Sequence, residues 1–374
     1  MNILFLIFSF NIGGIERLLI DMANNMTKRG NSITLCIIND DYDNELISCL
    51  DPDVDVIKLG RQVGNKNMFP QMIKLTKIIK TKGVDILHCQ GINCVIFSLL
   101  AKLFCPNIKI FNTVHDVGNY PSYSWFKIWL QNLILDKTIA ISYVVESEIL
   151  KKAKDHNKVV TIYNAVNIEK FDISDKTFDE HDVRIGNVAR FYPEKKGQDI
   201  LVNAVKEIKK TMKGSIICEF AGAVFKGQEK TFDEIKKLVI ANDLEENIVF
   251  LGGVSDIPGF LRKTDIFVLP SRYEGFGISL IEALASGVPV VASDIDGPKE
   301  IFELAEKDNV DIGYLAEVNS IDDFSKKIRD CIEHYDKYNR YELQSFVKKH
   351  FSVEEMVSKH LEVYNSEISK QKLI

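Results

Sequence analysis

The chain has 374 residues, enough for two domains of ordinary size, and its 46% hydrophobic and 27% charged content is typical of a folded protein. The net charge is −6, but the charges are unevenly distributed, since residues 1–165 hold 18 Lys and Arg against 15 Asp and Glu. This mildly basic half allows one face of the protein to meet an anionic membrane. Seven cysteines without a C-x2-C pair argue against a zinc site or a disulfide framework and favour the cytosol. No apolar run approaches the ~18 residues of a membrane span.

A strand–loop–helix–strand unit opens the chain. The apolar residues 3–8 predict a buried strand, and residues 33–38 predict the next one. Between them, Gly13 and Gly14 precede a helix. The G-x-G-x-x-G dinucleotide fingerprint is missing. Two glycines at a helix start can still bind a phosphate or let an acceptor substrate approach the backbone closely. A plain tight turn is the alternative.

Two histidines follow in this half. His115 comes directly after a predicted strand at residues 108–114, where ligands bind in open parallel sheets. A hydrogen-bonded loop histidine is the alternative interpretation. For His88, within a predicted strand at 85–90, the structural interpretation is favoured.

The two tryptophans lie close together at residues 119–137. Trp125 and Trp129 recur at helical spacing with Phe126, Leu130 and Leu133, which predicts an amphipathic helix. Such an aromatic face lies in a membrane interface, binds a lipid-linked acceptor, or faces the protein core. The sequence leaves these alternatives open.

The domain boundary is predicted near residues 166–182, where a polar stretch at 172–182 reads as a linker. A strand at 184–189 opens the second half, and Arg190 and Lys196 follow it. An Arg can fork onto two phosphate oxygens and a Lys supplies a point charge, so the pair suits a diphosphate. Lys195 is interpreted as a solvated side chain.

The most informative stretch runs from 269 to 296 and reads LPSRYEGFGISLIEALASGVPVVASDID. It predicts a strand, a loop with Glu274, Gly275 and Gly277, a helix with Glu282, and another strand. The glycines let a ligand approach the backbone, and the helix start favours a phosphate. Because carboxylates repel phosphate, the two glutamates are expected to bind ribose and sugar hydroxyls. A loop Glu and a solvated helix Glu are the alternative.

This motif, with seven residues between Glu274 and Glu282, resembles the signature of the retaining glycosyltransferase family 4. The resemblance covers nearly the whole chain and implies an α/β GT-B fold, in which two Rossmann-like domains face each other across a central cleft. Residues 1–165 would form the acceptor-side domain and residues 166–352 the nucleotide-sugar-binding domain. The last helix, from about residue 353 to 374, would pack back on the first domain.

The resemblance also implies individual roles. Arg190 and Lys196 would stabilise the leaving diphosphate, Glu274 would hold a donor-sugar hydroxyl, Glu282 would hold the ribose, and His115 would position or polarise the sugar. The catalytic set is therefore His115, Glu274, Arg190 and Lys196. The donor-binding set is Gly13, Gly14, Arg190, Lys196, Val254, Glu274, Gly275, Phe276, Gly277, Ile278 and Glu282.

The implied reaction moves a sugar from a nucleotide diphosphate sugar, UDP-sugar favoured over GDP-sugar, to a glycan acceptor with retention of configuration. The expected acceptor is a lipid-linked intermediate of a bacterial surface polysaccharide such as capsule, O-antigen or exopolysaccharide. No cofactor, metal or nucleic acid is expected, and residues 40–43 (DDYD) read as a solvated loop. We expect a cytoplasmic protein with a peripheral contact to the inner face of the membrane.

Two other functions remain open. A nucleotide-sugar 2-epimerase of the same fold would need no acceptor. A non-catalytic partner subunit of another transferase is expected to have lost Glu274, Arg190 or Lys196, and all three are present.

Overall fold

The structure is a computed structural model that describes residues 1–11, 13–115, 117–173 and 177–372. It divides into two compact units, which are Met1–Ala165 with Val353–Ile374, and Val166–Ser352. The predicted linker at 172–182 includes residues 174–176, which lie outside the described residues. Asp116 beside His115 and Ile12 before Gly13 also lie outside them.

The described residues form thirteen strands, and all of the paired strands run parallel. Parallel strands need crossover connections, which explains the alternation with helices. The strands are β1 (Asn2–Ile7), β2 (Ser32–Asn39), β3 (Asp55–Arg61), β4 (Ile86–Gln90), β5 (Lys109–Val114), β6 (Lys137–Ala140), β7 (Val159–Thr161), β8 (Asp182–Val188), β9 (Ser215–Ala221), β10 (Ile248–Gly252), β11 (Ile266–Leu269), β12 (Val290–Ser293) and β13 (Gly313–Ala316).

The same residues form seventeen α-helices. They are α1 (Gly14–Lys28), α2 (Asn44–Ile47), α3 (Phe69–Lys82), α4 (Ile92–Phe97), α5 (Leu99–Phe104), α6 (Asn119–Ser122), α7 (Trp125–Ile134), α8 (Tyr143–Leu150), α9 (Pro193–Lys196), α10 (Gln198–Lys209), α11 (Glu229–Ala241), α12 (Ile257–Leu261), α13 (Ile278–Ala285), α14 (Asp296–Lys307), α15 (Ile321–Glu333), α16 (Arg340–Phe351) and α17 (Val353–Lys372). Among the described helices, none combines the length and the hydrophobicity needed to cross a bilayer.

The first unit is a seven-stranded sheet in the order β3-β2-β1-β4-β5-β6-β7. Its inner strands, such as β1 and β2, are buried and mostly apolar on both faces, as expected of a parallel sheet covered by helices. One face packs with α1 and α17 around Phe5 and Tyr364. The opposite face packs with α3, α4, α5 and α7 around Leu6 and Leu87.

The second unit is a six-stranded sheet in the order β10-β9-β8-β11-β12-β13. Helices α10, α11 and α15 cover one face, with Leu201, Val239 and Phe324 in the buried cluster. Helix α13 packs on β11 and β12 and against α12 and α16.

Both sheets reverse their strand order once, between β1 and β4 in the first and between β8 and β11 in the second. Ligands of open α/β sheets bind beyond the carboxyl ends of the strands at such a reversal. The topology therefore indicates one ligand-binding edge in each unit.

Candidate active site

Arg190 and Glu274 follow the two strands that flank the reversal in the second sheet. Arg190 comes after β8 and Glu274 comes after β11, and these strands pair directly through Ile185 and Ile266. Since the strands are parallel, both loops leave at the same edge. The topology thus brings together two residues that are 84 positions apart in the sequence.

Lys196 reaches the same edge on the short helix α9. Pro193 occupies the first turn of α9, and Gly197 ends it with a φ of 65° in the left-handed region. A Cβ at Gly197 would overlap the carbonyl oxygen of Pro270, at the exit of β11. Only glycine therefore allows this close approach, which holds Lys196 beside the loop that carries Glu274.

Lys196 and Glu274 form an ion pair. Lys196 Nζ donates to Glu274 Oε2 at 2.6 Å, and the two side chains are only 23% and 17% exposed. Ser271 Oγ lies 3.5 Å from the same oxygen. The sequence predicted a role for each residue but did not predict this bond, because hydrogen-bond partners that are distant in sequence leave no local pattern.

Arg272 braces this arrangement, and sequence reasoning missed it. Its guanidinium forms a fork with Asp199 at 2.8 and 2.7 Å, and this hydrogen bonding raises the pKa of Arg272. Arg272 also donates to the carbonyl of Pro193 at 2.6 Å and to Asn319 Oδ1 at 2.6 Å. The side chain therefore ties the exit of β11 to both ends of the segment that presents Lys196.

The loop from Glu274 to Gly277 rests on α14. A Cβ at Gly297, in the first turn of α14, would lie 2.7 Å from the Glu274 carbonyl oxygen and 2.9 Å from the Phe276 nitrogen. Phe276 is buried against the ring of Phe351, with centroids 5.4 Å apart. The sequence analysis did not single out Gly297, although a glycine at a helix start can mark a close backbone approach.

The N-terminus of α13 is the predicted phosphate site. Gly277 precedes it with a φ of 105°, and no side chain of the described residues caps it. The amides of the first turn, beginning with Ile278, and the helix dipole favour an anion there. Glu282 lies in the second turn of α13 and is partly exposed.

Arg190 is exposed and stands over an aromatic pair that the sequence did not indicate. Its guanidinium carbon lies 5.2 Å from the centre of the Phe225 ring, and Tyr192 stacks on the same ring at 5.3 Å. The carbonyl of Arg190 accepts a hydrogen bond from the buried Gln198 at 3.1 Å. Val254 follows β10, two strands away from β8 in the same sheet, and is partly exposed.

In the first unit, Gly13 and Gly14 begin α1 after β1. The backbone of Gly13 is extended, with a φ of −166°, so its conformation does not itself require glycine. A Cβ at Gly13 would instead overlap the carboxylate of Glu16 in the first helical turn. A side chain at this position would only have to displace the flexible end of Glu16.

His115 has one occupied and one unoccupied ring nitrogen. Nε2 lies 2.8 Å from Gln90 Oε1, and since an amide oxygen only accepts, Nε2 carries the proton. Burial lowers the pKa of His115 to about 4, so the ring is neutral near pH 7. Nδ1 is buried and has no hydrogen-bond partner among the described residues, which leaves a lone pair that can accept a bond from a hydroxyl.

His88 has a structural environment. Its Nε2 lies 2.7 Å from Thr113 Oγ1 and its Nδ1 lies 2.6 Å from the hydroxyl of Tyr364 on α17. Both ring nitrogens are thus used inside the fold, where they join α17 to the sheet. In residues 40–43, Asp43 caps α2 and Asp41 accepts a hydrogen bond from Asn11.

Comparison with known proteins gives this arrangement a class. The model for Glycosyltransferase Family 4 matches residues 12–170, and the model for Glycosyl transferases group 1 matches residues 169–345. The fold and these matches define a glycosyltransferase. An uncharacterized glycosyltransferase of Methanocaldococcus jannaschii is 31% identical over 272 residues, which cover 68% of this chain and 67% of that relative. The chain belongs to glycosyltransferase family 4, and the resemblance inferred from the sequence is confirmed.

Two further proteins illustrate the similarity. The UDP-Gal:alpha-D-GlcNAc-diphosphoundecaprenol alpha-1,3-galactosyltransferase of Escherichia coli is 25% identical over 270 residues, covering 68% of this chain and 67% of that enzyme. The crystal structure of HepE from Anabaena in complex with UDP superposes with a TM-score of 0.80 at 21% identity, over 98% of this chain and 100% of that one. This likeness confirms the predicted GT-B fold.

Proposed function

We propose that this glycosyltransferase transfers a sugar from a UDP-sugar to a lipid-linked intermediate of a bacterial surface polysaccharide, with retention of configuration. The observation that carries the proposal is the grouping of Arg190, Lys196 and Glu274 at the strand reversal of the second sheet. Two cations and a carboxylate at one ligand-binding edge suit a substrate with a diphosphate and a hydroxylated sugar.

In the proposed reaction, the bond between the anomeric carbon and the diphosphate breaks while a bond to the acceptor oxygen forms on the same face of the sugar. The leaving phosphate takes the proton of the acceptor hydroxyl, so no side chain forms a covalent intermediate. Arg190 and Lys196 stabilise the negative charge that grows on the diphosphate, an effect worth roughly 3–4 kcal/mol for one well-placed donor. This assignment requires no divalent ion.

The observed ion pair gives Lys196 and Glu274 a second purpose. Before the donor binds, each side chain neutralises the other, which keeps a charged group from being buried without a partner. The diphosphate then competes with Glu274 for Lys196. A sugar hydroxyl replaces Lys196 as the group that donates a hydrogen bond to Glu274. Glu282 holds the ribose hydroxyls, and Val254 borders the base.

The remaining proposed contacts involve neutral groups. In the second unit, the amides from Gly275 to Ile278 are proposed to bind the donor. In the first unit, Gly13 and Gly14 are proposed to bind a phosphate or the acceptor, and His115 Nδ1 is proposed to accept a bond from a sugar hydroxyl. The relative in Escherichia coli is named for a UDP-sugar donor and a diphosphoundecaprenol acceptor, which supports both substrate classes. Work on such an acceptor would place the protein at the cytoplasmic face of the membrane, in peripheral contact with it.

The test is a thermal-shift panel of UDP-, GDP- and ADP-sugars in the presence of EDTA. We expect UDP-sugars to raise the melting temperature of the wild-type protein and Glu282→Ala to lose most of that shift. Glu306→Ala, an exposed glutamate on α14, is the matched control and should keep it. A wild-type protein that binds no nucleotide sugar would overturn the proposal.

The anomeric configuration of the product, read by NMR, tests retention separately. Inversion would contradict the retaining mechanism without affecting donor binding. Inversion of configuration at C2 of the donor sugar in the absence of an acceptor would instead support an epimerase.

A further inference from the structure

One face of the first unit exposes an unusual amount of apolar surface. Helices α3, α5 and α7 cover the same face of the sheet, and their inner residues share one buried cluster. The described residues include fifteen exposed large hydrophobic side chains, and eight of them lie on these three helices. Two are on α3, two on α5 and four on α7.

Helix α7 presents the largest part of this surface. Trp125 is 78% exposed, Trp129 is 43% exposed and Leu133 is 62% exposed, whereas Leu130 and Ile134 point into the core. At 100° per residue, the exposed residues fall within one arc of about 100°. Phe126 stacks on Trp129 at 5.9 Å, so the aromatic rings form one cluster on the outside of the helix.

Cations accompany this apolar surface. Residues 56–135 contain ten Lys and Arg and only two acidic residues, whereas the rest of the chain contains 37 against 51. On α3, Lys77 and Lys80 fall with the exposed Ile73 within one arc of about 60°. Lys80 stands over the ring of Phe104 on α5 at 5.5 Å.

Among the described residues, no carboxylate neutralises the lysines on the outer face of α3. Neither Lys74, Lys77 nor Lys80 forms an ion pair with any carboxylate of the described residues, although Lys82 at the end of the same helix pairs with Asp55. An unneutralised cationic strip beside exposed aromatic rings is complementary to a surface with negative headgroups and an apolar interior. A protein partner with an apolar patch would not account for the excess of positive charge.

We infer that the outer face of α3, α5 and α7 docks on a bilayer that contains anionic lipids. In this arrangement, Trp125, Trp129 and Leu133 enter the interfacial region, while Lys74, Lys77 and Lys80 contact the phosphate headgroups. Membrane docking would bring the enzyme to the proposed lipid-linked acceptor, so the biological purpose of the docking rests on the proposed function. The binding itself is measured independently of any sugar transfer.

The chain offers its own reporter for the test. Its two tryptophans are both on α7, so the intrinsic emission of the intact protein reports this helix alone. We expect vesicles of phosphatidylcholine mixed with phosphatidylglycerol to shift the emission to the blue, and vesicles of phosphatidylcholine alone to cause a much smaller shift. High salt should reverse the shift, since it screens the headgroup charges.

Variants assayed by co-sedimentation with the mixed vesicles locate the surface. In the double variant Lys77→Gln/Lys80→Gln, each substitution should lower the partition coefficient about fivefold. The double variant Trp125→Ser/Leu133→Ser should lower it at least as much. The matched control is Ile240→Ser/Lys348→Gln, which removes one exposed apolar and one exposed basic side chain from the second unit and should bind like wild type.

The outcomes separate this inference from the proposed function. Variants that lose vesicle binding but keep the thermal shift with a UDP-sugar support the docking face. Wild-type protein that stays in solution with anionic vesicles while binding the nucleotide sugar overturns the docking face and leaves the proposed function intact. A blue shift that depends on protein concentration without vesicles overturns it in favour of a second copy of this chain.

Discussion

The ligand-binding edges of the two sheets have the same topology but opposite chemistry. At the edge of the second sheet, Lys196 is paired with Glu274, and Arg272 forks onto Asp199. At the edge of the first sheet, His115 is neutral and bonds the amide of Gln90. Strand order therefore determines where a ligand binds, and the residues after each strand determine which chemical group is bound there.

The difference has a physical reason. The proposed diphosphate would need fixed positive charge, and charged side chains near a protein interior need partners, which the ion pairs of the second edge supply. Hydroxyl groups need only single hydrogen bonds, which neutral groups such as an imidazole supply. Three measurements test this difference between the two edges.

The largest effect is expected for Lys196→Ala. If Lys196 stabilises the leaving diphosphate as proposed, its removal should lower kcat by about 10²–10³. Lys195→Ala is the matched control, because Lys195 is exposed and its Nζ only stands 5.7 Å from the Tyr192 ring. The rate of UDP release is measured with the donor found by thermal shift. Equal losses in the two variants would show that the charged edge acts non-specifically.

A smaller effect is expected for Arg272→Lys, which keeps the charge but loses the fork onto Asp199. Loss of one charge-assisted hydrogen bond should lower kcat about tenfold by displacing Lys196. Arg272 is a positioning residue, so KM for the donor should change much less than kcat. If only the melting temperature falls and kcat is unchanged, Arg272 serves stability alone.

The third prediction concerns stability instead of catalytic rate, and it is a pH dependence that arises from histidines of the first unit. Burial lowers the pKa of His115 and of His360 to about 4, from an ordinary value of 6.5. Their stabilising effect is therefore complete above pH 6.5 and is lost as the pH falls from 6.5 towards 4, because the unfolded chain binds the protons first. As the pH falls through this range, each of the two histidines should lower the free energy of unfolding by up to about 1.4 kcal/mol per pH unit.

Urea unfolding followed by tryptophan emission measures this dependence, since both tryptophans lie in the first unit. His115→Gln should reduce the slope by about one proton, whereas His181→Gln, with a side chain 66% exposed in the second unit, should leave it unchanged. A slope that is insensitive to His115→Gln would show that this ring is not held neutral by the fold.

Local patterns predicted the elements around the motif well. The strand at 266–269 and the helix from Ile278 to Ala285 lie where the apolar runs and glycines indicated. The sequence analysis did not predict β3, whose apolar pattern is interrupted by charges. It also did not predict α3, although Pro70 in the first turn is a favourable signal of a helix start. The apolar stretch at residues 95–103, which by its pattern could form one helix, belongs to two helices that meet at Ser98.

Local features were enough to predict the α/β class and the family, because hydrophobic periodicity and the motif from Glu274 to Glu282 can be recognised without the three-dimensional structure. Three other features depend on the fold. It placed Lys196 on Glu274, it left His115 Nδ1 buried without a partner among the described residues, and it turned Trp125 and Trp129 away from the core. Each depends on which helices and strands become neighbours, and amphipathic spacing alone cannot show whether an apolar helix face is covered.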